Sequence, residues 1–76
     1  MTKKDIFKKL ENYFKNSIIE VYDSTGNSNH FSILVISDKF NDISLINRHK
    51  MIYNIFKIEL TKEIHALQIK VFTPDE

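Results

Sequence analysis

The chain has 76 residues and a mass of 9.0 kDa, which is room for one small domain over residues 1–76. It has no cysteine, so it can form no disulfide and hold no metal through its own thiolates, and six Phe and three Tyr are left to supply much of a thin core. A formal net charge of +1 creates no strong field for nucleic acid or an anionic membrane, and no apolar run approaches the ~20 residues of a membrane span.

The charge is unevenly distributed. Residues 1–16 carry five lysines against two acids, whereas residues 17–43 carry one lysine against four acids. The basic start reads as a helix. Thr2 can cap it, with Asp5 three residues on, and Ile6, Leu10, Tyr13 and Phe14 then form one apolar stripe over about four turns. Lys8, Lys9 and Lys15 lie off that stripe, and Asn16-Ser17 ends the element. Asp5 and Glu11 interrupt the positive charge, so this segment reads as the first helix of the fold and not as a transit peptide. With the lack of cysteine, that points to a reducing compartment, the cytoplasm or nucleus.

Ser17 to Tyr22 is β-branched and aromatic, a first strand. Seven turn-forming residues, Asp23 to Asn29, surround the only glycine. His30 to Ile36 is a second strand with Phe31, Ile33 and Val35 on one face. The other face, Ser32, Leu34 and Ile36, is partly apolar, which predicts that the sheet is not fully exposed on its second side. Ser44 can cap a second helix in which Leu45, His49, Ile52, Tyr53 and Phe56 share a face. The pattern slips near Lys57, so a short separate helical turn through Leu60 is expected. Ala66 to Phe72 alternates as a third strand until Thr73-Pro74 stops it. The order α-β-β-α-α-β describes an α+β domain whose helices cover one face of a three-stranded sheet, with a helical crossover that allows a parallel pairing.

Catalytic motifs are missing. One glycine cannot build a phosphate-cradling loop, there is no cysteine nucleophile, and no histidine pair has H-x-x-x-H spacing. An enzyme is not expected. Taken singly, the histidines are unremarkable: His30 is a loop-end residue, His49 a core-edge residue between Arg48 and Lys50, and His65 a lone imidazole where the third strand begins. The lysines of the first helix read as a solvated face without interleaved aromatics.

Several segments together resemble the BolA family: Ile19-Glu20-Val21 with Asp23-Ser24, His30-Phe31, Val35-Ile36-Ser37-Asp38-Lys39-Phe40, Asn47-Arg48-His49-Lys50-Met51-Ile52-Tyr53, Glu63-Ile64-His65-Ala66-Leu67 and Thr73-Pro74-Asp75-Glu76. The resemblance implies a KH-like fold of the second class, in agreement with the order read from the residues. It also implies a partner in place of a reaction. BolA-like proteins pair with monothiol glutaredoxins and share a bridging 2Fe-2S cluster, held on the other side by the glutaredoxin cysteine and a glutathione thiolate. Roles in trafficking or assembly of iron-sulfur clusters and in iron sensing follow, and some bacterial members are transcription regulators. The family's histidine ligand corresponds to His65. Its second ligand, a Cys or His before the Phe of the second strand, has no counterpart in residues 26–29, and His30 is the candidate nearby. Arg48, His49, Lys50 and Ala66 are the expected partner-binding residues. One imidazole replaces one thiolate at iron but cannot hold a cluster by itself, so the isolated chain is expected to bind little iron. Nucleic-acid binding is the competing class. A KH-type G-x-x-G loop cannot exist here, which leaves a DNA contact through the second helix.

Overall fold

The structure, a computed structural model, describes residues 1–24, 26, 28–64 and 66–76. Helix α1 spans Lys3–Tyr13 and begins with a reciprocal cap: the Thr2 hydroxyl accepts from the Asp5 backbone N–H, and the Asp5 carboxylate accepts from that of Thr2. The Thr2 backbone N–H first, and the Thr2 hydroxyl after it, hold the Asp5 carboxyl below its ordinary range. The helix buries Ile6 and Leu10, followed by Phe14 at its C-cap. Tyr13, expected on the same stripe, is half-exposed: the helix stops there, and a left-handed Asn16 turns the chain into the sheet.

Strands β1 (Ile18–Asp23), β2 (His30–Ile36) and β3 (Ala66–Phe72) form one sheet in that order. β1 and β2 pair antiparallel, with Ile18 opposite Ile36 and Asp23 opposite Phe31. β2 and β3 pair in parallel, from His30 opposite Ala66 to Ile36 opposite Phe72. The crossover that makes this possible contains a 3-10 turn (Asp38–Phe40), α2 (Leu45–Ile55) and α3 (Lys57–Lys62). Val21, Phe31, Ile33, Val35, Leu67 and Val71 point to one face of the sheet and meet Ile6, Leu10, Phe14, Phe40, Ile52, Phe56 and Ile64 in a single core. This is the α+β architecture read from the sequence.

One reading is corrected. On α2, Leu45 and Tyr53 are exposed, and the buried row is Arg48, Ile52 and Phe56, with Met51 and Ile55 packed beside it. The row is shifted because an arginine occupies a position that apolar periodicity cannot assign to a charge. The partly apolar second face of β2 agrees with the reading that the sheet is not fully exposed on that side, although Ile18, Tyr22 and Phe72 on the flanking strands are exposed there. Ser32, Leu34 and Ile36 are half-buried on that face because β2 is the central strand, shielded by neighbours on both sides. Among the described residues, no helix is long and apolar enough to cross a membrane.

Candidate functional site

The turn between β1 and β2 is organised by Asp23. Its carboxylate accepts from the backbone N–H groups of Gly26 (3.0 Å) and Ser28 (3.0 Å). Gly26 (φ 75°) and Ser28 (φ 58°) take left-handed conformations that let the loop close on that carboxylate. At the far end of the loop, the Ser24 N–H donates to the His30 carbonyl (2.8 Å), and the Ala66 N–H donates to the Asn29 carbonyl (3.3 Å). His30 thus enters the sheet beside Ala66, its partner in register, and its side chain is exposed.

The segment before β3 is fixed from the helical side. Ile64 is 2% exposed, and the backbone N–H groups of Glu63 and Ile64 both donate to the Glu59 carbonyl, at 2.7 and 2.9 Å. Glu59 is itself tied to α1, its carboxylate 2.8 Å from the Lys9 ammonium, whose Nζ lies 5.6 Å from the Phe56 ring centroid. That bond lowers the Glu59 pKa against the opposing effect of burial. His65, the expected cluster ligand, lies outside the described residues. Its two chain neighbours do not: Ile64 is anchored in the core and Ala66 in the sheet.

A second group of residues gathers at the opposite end of β3. Arg48 is 8% exposed, and its guanidinium forms a fork to Glu76, at 2.7 Å through Nη1 and 3.0 Å through Nη2. Its Nε donates to the Ile43 carbonyl (2.8 Å), and the guanidinium carbon lies 5.9 Å from the Phe40 ring centroid. Glu76 also accepts from the Thr73 N–H (2.9 Å). The Arg48 bonds and, after them, the Thr73 N–H push the Glu76 carboxyl down to about 2. The charge of Arg48 is spent inside the chain, whereas Lys50 is exposed and His49 half-buried.

The structure therefore brings His30 and Ala66 together and places Arg48 at the other end of the strand. The six residue steps from Ala66 to Phe72 correspond to roughly 20 Å of strand. Among the described residues no group of three or more His, Cys, Asp or Glu side chains could enclose a metal ion. Of the common nitrogen and sulfur donors to iron, the sequence offers imidazole and no thiolate.

Sequence reasoning missed the structural work of three residues. Ser37 is buried, donates its backbone N–H to the Phe72 carbonyl (3.0 Å) and accepts at Oγ from Lys39 N–H (3.2 Å), starting the turn that lowers Phe40 into the core. Asp23 and Glu76 hold a loop and a strand end. Only their position beside Gly26 and Thr73-Pro74 signals this in sequence.

Comparison with known proteins agrees with the geometry. The family model for BolA-like protein matches residues 9–76. The chain is 32% identical over 83 residues to a protein of Escherichia coli named DNA-binding transcriptional regulator BolA, covering 100% of this chain and 79% of that one. Among solved structures, the BolA domain of SufE1 from Arabidopsis thaliana superposes with a TM-score of 0.88 at 33% identity, covering 96% of this chain and 92% of that one. BolA1 from the same plant superposes with a TM-score of 0.90 at 26% identity, covering 97% and 93%. By sequence and by fold, the chain belongs to the BolA-like protein family.

Proposed function

We propose that this chain is a non-enzymatic partner of a monothiol glutaredoxin and shares with it a bridging 2Fe-2S cluster, for iron-sulfur trafficking or assembly or for iron sensing. His65 is the ligand from this side, and His30 is the second candidate. The observation that supports the reading is the register of β2 and β3: His30 pairs with Ala66, the residue that follows His65. That strand end is braced by Ile64 and by the Asp23-held loop. Rigid elements position a ligand more closely than free loops do. The glutaredoxin cysteine and glutathione would supply the thiolates that this sequence lacks. Lys50 and His49 are the side chains of α2 available to a partner, with Arg48 holding the helix in place.

The test is reconstitution of the chain with a monothiol glutaredoxin, glutathione, iron and sulfide, followed by visible absorbance and circular dichroism. Wild type should change the spectrum and His65→Ala should not. Imidazole must be neutral to coordinate, so the wild-type change should weaken as pH falls below the ordinary imidazole value of ~6.5. An affinity that stays flat from pH 8 to about 5.5 would reject histidine ligation.

A second reading, a DNA-binding transcription regulator, is favoured by the name of the Escherichia coli relative. Salt-dependent retention on DNA at ~150 mM salt would support it.

A further inference from the structure

We propose that the outer edge of β1, roofed by the first turns of α1, is a docking strip where an extended acidic segment of a partner protein adds to the sheet as a fourth strand. β1 ends the sheet, with β2 on one side only. The Ser24 N–H donates to the His30 carbonyl, which continues the antiparallel ladder one step past Asp23. Alternation along such a ladder turns the backbone polar groups of Ile18, Glu20 and Tyr22 toward β2 and those of Ile19, Val21 and Asp23 outward. Three residues thus each present an N–H and C=O pair at the edge, repeated at every second position.

A groove of about 520 Å³ runs beside that row, lined by Lys3, Lys4 and Phe7 of α1 and by Ile19, Val21 and Tyr22 of β1. Its large side chains are on display, Phe7 at 38% and Tyr22 at 56% exposure. An added strand would alternate its side chains between the helical wall, which is apolar and cationic, and Tyr22 on the open sheet face. Among the described residues neither Lys3 nor Lys4 has an ion-pair partner. Glu20 also lines the groove, with its carboxylate taken by the Tyr22 hydroxyl at 2.6 Å.

The charge decides the occupant. Pairing β1 with β1 of a second copy would bring four lysines and two Glu20 carboxylates to one seam, a net positive charge of the kind by which natural edge strands repel copies of themselves. The same lysines attract acidic residues. Lys3, Lys4 and Phe7 precede residues 9–76 that match the family model, so the helical wall of the groove is not part of that match. β1 is also separated from β3 by β2, so Ile19 and Val21 of the strip lie across the sheet from Ala66, and the strip rests on no property of His65.

The experiment is a titration of the 15N-labelled full chain with the acetylated heptapeptide Glu-Val-Asp-Ile-Glu-Val-Asp at low salt. Saturable shifts should appear at the amides of Ile19, Val21 and Asp23. Lys3→Glu with Lys4→Glu should weaken binding about tenfold or more, since two favourable charge pairs become repulsive. Acids suit the first turn of a helix, so that variant keeps its fold, which the rest of its spectrum verifies. N-methylating alternate peptide residues should abolish binding in one phase and be tolerated in the other, because only one set of amides faces β1. No saturation at millimolar peptide, shifts confined to α2 or α3, or equal loss in both methylation phases would overturn the proposal. So would a concentration-dependent dimer joined through β1 in sedimentation and NMR.

Discussion

Replacing Phe40 by alanine should be among the most damaging single changes in this chain. The ring is 0% exposed, lies 5.1 Å from the Phe14 ring at 44° and carries the Arg48 guanidinium over its face. It reaches that place from a three-residue 3-10 turn, which has little freedom to close over a void. A buried Phe→Ala change costs about 3–5 kcal/mol, of which ~0.5–1.5 kcal/mol belongs to the aromatic pair. A chain of 76 residues has roughly 4–11 kcal/mol in total at typical per-residue values. A loss of about 4 kcal/mol lowers the folded-to-unfolded ratio close to a thousandfold and takes a third or more of that total. Urea unfolding followed by far-ultraviolet circular dichroism and tyrosine fluorescence measures it, since there is no tryptophan. Tyr53→Ala removes an aromatic of similar size from α2, and at 44% exposure it should cost less than about 1 kcal/mol. If Phe40→Ala costs less than about 1 kcal/mol, or no more than Tyr53→Ala, the core assigned to the crossover is wrong.

Glu76 should make the chain acid-sensitive in a defined window. Its carboxyl is lowered from 4.5 to about 2, so its stabilisation is complete above 4.5 and is lost as pH falls toward 2. The difference in melting temperature between wild type and Glu76→Gln should shrink across that interval, and a constant difference would separate Arg48 pairing from stability. Ser37→Ala should cost about 1 kcal/mol in urea, because the Lys39 N–H loses its cap and Phe40 its fixed approach. Lys9→Ala should cost about 1 kcal/mol through its contacts with Glu59 and Phe56, whereas Lys8→Ala on the exposed face should fall within about 0.5 kcal/mol of wild type.

Local chemistry alone determined the elements of this protein. Thr2 and Ser44 cap their helices, alternation defines β2 from His30 to Ile36, and Thr73-Pro74 ends β3, because each depends on neighbours a few residues away. The family resemblance was legible for a related reason: much of its signature is structural, with Ser37 starting a turn, Phe40 filling the core and Arg48 with Glu76 closing a strand end. What tertiary structure decided were contacts between distant parts of the chain. Hydrophobic periodicity put Leu45 and Tyr53 on the buried face of α2, and the fold put Arg48 there, 28 residues from the carboxylate that makes its burial tolerable. The pairing of His30 with Ala66 is likewise invisible in sequence, where 36 residues separate them, because only a parallel crossover of this length sets that register. A charge can be buried, or two strand ends aligned, only when both partners are already in place, and that information exists only in the folded chain.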